Sequence, residues 1–189
     1  MQAQLFESAS NTWGNKSETL SGSGSTIQNT VNIRENLPKL LQQHNIKTIF
    51  DAPCGDGNWI KECDLGNTKY SGGDLVPSFV DKSSMPNVSV FDITLDTFPS
   101  VDIWMCRACL YHLSIEDITK TIDNFKQSNI KYALITSHTG KSDGDIVTGG
   151  FRRLNLAEYD YFGLGEPIDK FNDVLYNNMQ EEMLLFGKY

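Results

Sequence analysis

The sequence lacks an excess of basic charge, any long apolar run and a cysteine-dense framework, and each absence closes off a class of protein. Sixteen lysines and arginines stand against 24 acidic residues, a formal net charge of −8. A main partner with a nucleic-acid backbone needs a basic stripe, and here only Arg152 and Arg153 are adjacent. A small or neutral molecule suits this balance better than nucleic acid. No apolar run approaches membrane-spanning length and no basic-then-apolar leader opens the chain, so no membrane partner is expected. Four cysteines (Cys54, Cys63, Cys106 and Cys109) are too few for a disulfide scaffold in 189 residues. Reduced thiols in a cytoplasmic setting are the expectation. Internal repeats and low-complexity tracts are missing too. A hydrophobic fraction of 39% fits one globular domain over residues 1–189.

What is present alternates between strand and helix patterns. Residues 1–25 are polar and read as a loop or arm, ending in SGSGST (Ser21 to Thr26). Ile27, Val31, Leu37, Leu40 and Leu41 can share one helix face running to about His44, with a bend near Pro38. Strands are expected at Thr48–Ala52, Lys69–Leu75, Val88–Thr94, Val101–Arg107 and Tyr132–Thr136, with one late strand in EEMLLFGKY. Short helices should follow Gly57 and Pro77. Ser114, with Asp117 three residues on, is a helix start for a segment reaching about Gln127. This rhythm predicts an α/β sandwich with a mainly parallel sheet. Sites in such sheets gather at the carboxyl ends of strands, where Asp51, Asp74, Asp92, Arg107 and His138 fall.

The first strand runs into TIFDAPCGDGNWI (Thr48 to Ile60), a glycine turn that carries its own acids, Asp51 and Asp56. A dinucleotide fingerprint wants a third glycine where Ile60 stands, and carboxylates beside a pyrophosphate would repel it. S-adenosylmethionine removes the conflict. It has no phosphate, carries a sulfonium and an ammonium, and still offers a ribose and an adenine. Acids near the loop suit its cationic end, Asp74 is placed for the ribose hydroxyls, and Asp92 with Ile93 for the adenine.

In order, DAPCGDGNW, GGDL, FDIT and CRACLYHLS resemble the motifs of class I S-adenosylmethionine-dependent methyltransferases. The likeness runs from about Ser21 to the C-terminus. It is closest to small bacterial and viral members linked to polysaccharide or glycan methylation, through SGSGST and DIVTGGFRRLNL (Asp145 to Leu156). The resemblance implies a Rossmann-like fold with a mainly parallel seven-stranded sheet and helices on both faces. It implies an O-methyltransferase acting on a sugar hydroxyl of a glycan or glycan precursor, in the cytoplasm (of the host, if viral). A larger multi-domain glycan-modifying protein containing this chain is compatible with it. The cofactor site would then take Ser21, Gly22, Ser25, Thr26, Asp51, Pro53, Cys54, Gly55, Asp56, Gly57, Trp59, Asp74, Leu75, Asp92, Ile93, Cys106 and Arg107. Residues 140–165 would form the acceptor loop, with Gly149, Gly150, Arg152, Arg153 and Asn155 binding the substrate and Trp13 folding over it.

One departure matters. Relatives of this kind are expected to read C-R-D-x-L-x-H-L-S after the fourth strand, and this chain has Ala108 at the place of the acid. Either another residue is the base or the chain binds cofactor without turnover. His138, at the end of the fifth strand, and His112 are the candidate bases, each weighed against a packing role. Other acceptors (a different small molecule, a nucleobase or a protein side chain) keep the same chemistry. Cys106-x-x-Cys109 with His112 has redox or zinc-like spacing but lacks a fourth ligand, so buried thiols and no metal are expected.

Overall fold

The computed structural model describes residues 2–10, 18–176 and 179–188. Alternation along the strands decides the architecture. In β1 (Thr48–Asp51), Ile49 joins one buried cluster and Phe50 the other. Chain order next gives β2 (Lys69–Asp74) and β3 (Val88–Val90). In β4 (Ile103–Cys106), Ile103 and Met105 face one way and Trp104 and Cys106 the other; β5 (Tyr132–His138) splits Leu134 from Ala133 and Ile135. Strands that bury both faces lie inside a sheet covered on two sides.

The covers are helical. α1 is Gln2–Ser10, and α2 (Val31–Gln43) sets Ile33, Leu37, Leu40 and Leu41 on one face of the sheet. α3 (Pro77–Lys82) follows β2, and α4 (Ile115–Gln127) sets Ile118, Ile122 and Phe125 on the opposite face. Ser114 caps α4 as expected, its hydroxyl accepting from the Asp117 N–H at 3.2 Å. Pro38 lies inside α2 and cannot donate to the Arg34 carbonyl, which accepts from the Cys63 thiol at 3.8 Å instead.

With β6 (Asp169–Tyr176) and β7 (Met179–Gly187), the sheet has seven strands in the order β3-β2-β1-β4-β5-β7-β6. The pairings β1·β2, β1·β4, β2·β3 and β4·β5 are parallel, whereas β7 runs antiparallel to both neighbours. The sheet is therefore mixed, though mainly parallel.

Four expectations need correction. The N-terminal segment is not a plain arm: residues 2–10 form α1, built from good helix formers, with Phe6 packed on the core and Leu5 against Gly149. The late region holds two strands rather than one. β6 escapes a pattern reading because a charged residue, Asp173, takes one of its buried positions. The helix expected from Gly57 is only a 3-10 turn at Ile60–Glu62, and Asp92 lies beyond the end of β3.

Phe125 is buried against Trp104, ring centroids 5.4 Å apart, so Phe125→Ala should cost roughly 3–5 kcal/mol in urea unfolding. Ser114→Ala removes only a cap and should cost about 1 kcal/mol in the same measurement.

Candidate functional site

Parallel strands bring their carboxyl ends to one edge, and there a cleft opens between β1, β2, β4 and the segments that follow them. Asp51, at the end of β1, lines the cleft and is 2% exposed. The Tyr70 hydroxyl donates to its Oδ2 at 3.0 Å, and its Oδ1 has no hydrogen-bond partner among the described residues. Burial pushes this carboxyl up to about 8, against the Tyr70 bond that favours ionisation. Asp74, at the end of β2, accepts the Gly55 N–H at 2.8 Å and the Val76 N–H at 2.9 Å. Burial still outweighs those bonds and raises it to about 6.

Gly55 is required where it stands. Its φ is +59°, and a Cβ there would fall 2.1 Å from the Ser21 hydroxyl oxygen. Close approach of the two segments makes Ser21, Ser25, Pro53, Cys54, Gly55 and Trp59 one wall of the cleft. The opposite end is apolar, with Leu75, Val76, Phe79, Phe91 and Ile93 beside Asp92. Asp92 is turned on its own loop, its Oδ1 accepting from the Thr94 N–H at 2.8 Å and hydroxyl at 2.6 Å.

Asp56, expected in the cofactor site, lies outside the lining. Its carboxylate accepts from the Thr19 hydroxyl (2.9 Å), the Leu20 N–H (2.7 Å) and the Ser21 hydroxyl (3.1 Å). The acid in the glycine loop is thus a clamp that holds residues 19–21 over the cleft. Gly22, Thr26, Gly57 and Cys106 are also outside the lining. Cys106 is fully buried, and burial together with the Cys109 thiol drives its own thiol well above the ordinary range.

The two histidines separate. His112 lines the cleft, and its Nδ1 lies 2.7 Å from the Gly150 carbonyl, so Nδ1 carries the hydrogen and Nε2 the lone pair in the neutral ring. Burial lowers its pKa. His138 is 1% exposed, absent from the lining, and packed on Tyr111 with ring centroids 4.9 Å apart. Its Nδ1 accepts the Leu154 N–H at 3.2 Å, which puts the hydrogen on a buried Nε2 that has no hydrogen-bond partner among the described residues and lies 3.7 Å from Glu181. A ring held that way offers no exposed lone pair. Ala108 does line the cleft, and its φ of 53° is a left-handed conformation that aspartate and asparagine tolerate better than alanine.

The residues expected to bind substrate are placed elsewhere. Arg152 is fully buried, paired with Asp145 at 2.9 Å and donating to the Leu113 carbonyl at 3.0 Å. Arg153 is paired with Asp143 at 2.9 Å, and the Asn155 amide donates to the Gly140 carbonyl at 2.7 Å. Gly149 and Gly150 stand just outside, bonded through their backbones to His112. Trp13 falls outside the described residues. The cleft also has Phe6, Cys109, Leu113 and Thr94, none of which was expected to bind cofactor or substrate. Phe6 comes from the unforeseen helix, and the others read as ordinary core.

No family model and no curated protein matches the chain. Solved structures do. The 1,6-didemethyltoxoflavin-N1-methyltransferase of Burkholderia thailandensis, crystallised with 1,6-didemethyltoxoflavin and S-adenosylhomocysteine, aligns with a TM-score of 0.61 at 13% identity, covering 82% of this chain and 77% of that one. For the magnesium protoporphyrin IX methyltransferase of Synechocystis, with bound S-adenosylhomocysteine, the values are 0.63 and 10%, over 83% and 82%. A TehB-like S-adenosylmethionine-dependent methyltransferase of Corynebacterium glutamicum gives 0.57 and 16%, over 80% and 86%. Likeness at these identities is a likeness of fold: the chain has the Rossmann-like class I methyltransferase fold, on a mixed seven-stranded sheet.

Proposed function

We propose that the protein is an S-adenosylmethionine-dependent O-methyltransferase acting on a hydroxyl of a small, neutral acceptor. The observation that carries this reading is a buried carboxyl oxygen on Asp51, without a hydrogen-bond partner among the described residues, in the same cleft as His112. An unsatisfied carboxyl at that depth suits a ligand that brings hydrogen-bond donors and positive charge. Asp51, Ser21, Ser25 and Gly55 would hold the amino-acid end, Asp74 the ribose, and Asp92 with Ile93, Phe79 and Phe91 the adenine. When bound, the cofactor supplies an electrophilic methyl group on a sulfonium. His112, kept neutral by burial and fixed by Gly150, takes the acceptor's proton on Nε2. Phe6, Ala108, Cys109 and Leu113 hold the acceptor and exclude water.

A sugar hydroxyl is the acceptor suggested by the resemblance of SGSGST and DIVTGGFRRLNL to glycan-modifying enzymes. With Arg152, Arg153 and Asn155 committed to Asp145, Asp143 and Gly140, a saccharide would meet an apolar wall and His112 rather than a polar cradle. The second reading, cofactor binding without turnover, is favoured by Ala108 alone. An aspartate there would suit the left-handed backbone and bring a carboxylate to the cleft.

Calorimetric titration should find S-adenosylmethionine and S-adenosylhomocysteine binding that Asp74→Ala weakens at least about tenfold, the worth of one good charged hydrogen bond. An intact protein that binds neither overturns the reading. Because a cation favours ionised Asp51, binding S-adenosylmethionine at pH 7 should release protons, and affinity should rise with pH up to about 8. S-adenosylhomocysteine, lacking the sulfonium, should show a shallower rise. Buffers of different ionisation enthalpy read the proton count directly.

For turnover, sugars, nucleotide sugars and phenols are the acceptors to screen. His112→Ala should lower kcat by roughly 10²–10⁴-fold, and His138→Gln far less. Turnover that appears only in Ala108→Asp would establish the second reading.

A further inference from the structure

Arg107 enters the cleft already bound on its other side. Its Nε and Nη2 donate to the two carboxylate oxygens of Asp173 at 2.7 and 3.2 Å, a bidentate pair with the acid 1% exposed and the arginine 6%. Its Nη1 donates to the Gly24 carbonyl at 3.0 Å, and its guanidinium lies 5.3 Å from the centre of the Trp59 ring. Gly24 belongs to the turn Ser23–Ser25, whose Ser25 lines the cleft with Arg107.

Asp173 stands on β6, the edge strand, which β7 and β5 separate from β4 in the sheet, and it lies in a bulge. β6 and β7 pair Asn172 with Glu182 and then Leu175 with Gln180, so Asp173 and Val174 together oppose Glu181. A bulge of this kind bends its strand and re-aims a side chain. Both carbonyls it frees are satisfied: the Asn32 amide of α2 donates to that of Asp173 at 2.6 Å, and the Gln180 amide to that of Val174 at 3.2 Å. The irregularity is supported from two sides.

We infer that Asp173 is a positioning residue for the cofactor: through Arg107 it fixes the Ser23–Ser25 turn, and it cancels the arginine's charge at the end of the cleft that receives a sulfonium. Unneutralised, Arg107 would repel that cation. With Asp173 in place, Arg107 is a strut that adds no net positive charge to the wall. The inference rests on the cofactor reading above.

The test compares two ligands that differ by one methyl group and one charge. In Asp173→Asn the ratio of S-adenosylmethionine to S-adenosylhomocysteine affinity, measured calorimetrically at pH 8, should fall on the order of tenfold, since an uncompensated charge nearby penalises only the sulfonium. A merely structural role would weaken both ligands alike. The double variant Arg107→Met with Asp173→Asn, which removes both charges, should restore the wild-type ratio. Should Asp173→Asn fail to fold, Arg107→Met alone carries the test with opposite sign, the ratio moving in favour of S-adenosylmethionine. An unchanged ratio in the variants, equal losses for both ligands, or a double variant that keeps the single variant's ratio each overturn this inference while leaving the cofactor reading intact. Wild-type protein that binds neither ligand overturns both.

Discussion

Holding the Asp51 carboxyl out of water is the constraint around which the cleft is organised. Three parallel strands meet there, and Tyr70 gives the acid its one side-chain bond. Desolvation makes the ionised form costly, which is why the group sits near 8 rather than in the ordinary carboxylate range. The free fold is accordingly disfavoured as pH climbs from that range through 8, where the unfolded chain has already lost the proton. A cationic ligand reverses the penalty. Arg107, the nearest fixed cation, only partly does so, because Asp173 holds its charge.

Most of the sheet, and several residues that line the cleft at its edge, were legible in the sequence. Acids at strand ends and a glycine loop are local signals, readable where period-2 apolar runs stop. Asp51, Gly55, Asp74, Ile93 and Arg107 all lie where such signals put them. What escaped depends on partners far away in the chain. Asp56 reads as a ligand residue until residues 19–21 fold onto it, 35 to 37 positions away. His138 sits at a strand end like the others, but a register that pairs it with Glu181 closes it off. His112, a candidate on equal terms in the sequence, lies in a short turn before α4 and lines the cleft.

The acceptor side was misread for a related reason. Two adjacent arginines after a glycine-rich loop look like an anion or polyol site. In the fold they are turned inward and sideways onto Asp145 and Asp143, two acids of the same loop. Acids close in sequence are cheap partners for a loop arginine, and a composition reading has no means of subtracting them. An apolar helix position such as Phe6 carries no functional mark at all until α1 is seated.

Arg152 gives the loop after β5 a character of its own. One guanidinium inside the protein ties Asp145 to the Leu113 carbonyl, and the Gly149 N–H returns to the His112 carbonyl. Such a loop has lost its conformational freedom before any acceptor arrives. The loop lies outside the cleft lining, but it backs His112 and Leu113, which line the cleft, and the entropy of ordering that support is charged to folding.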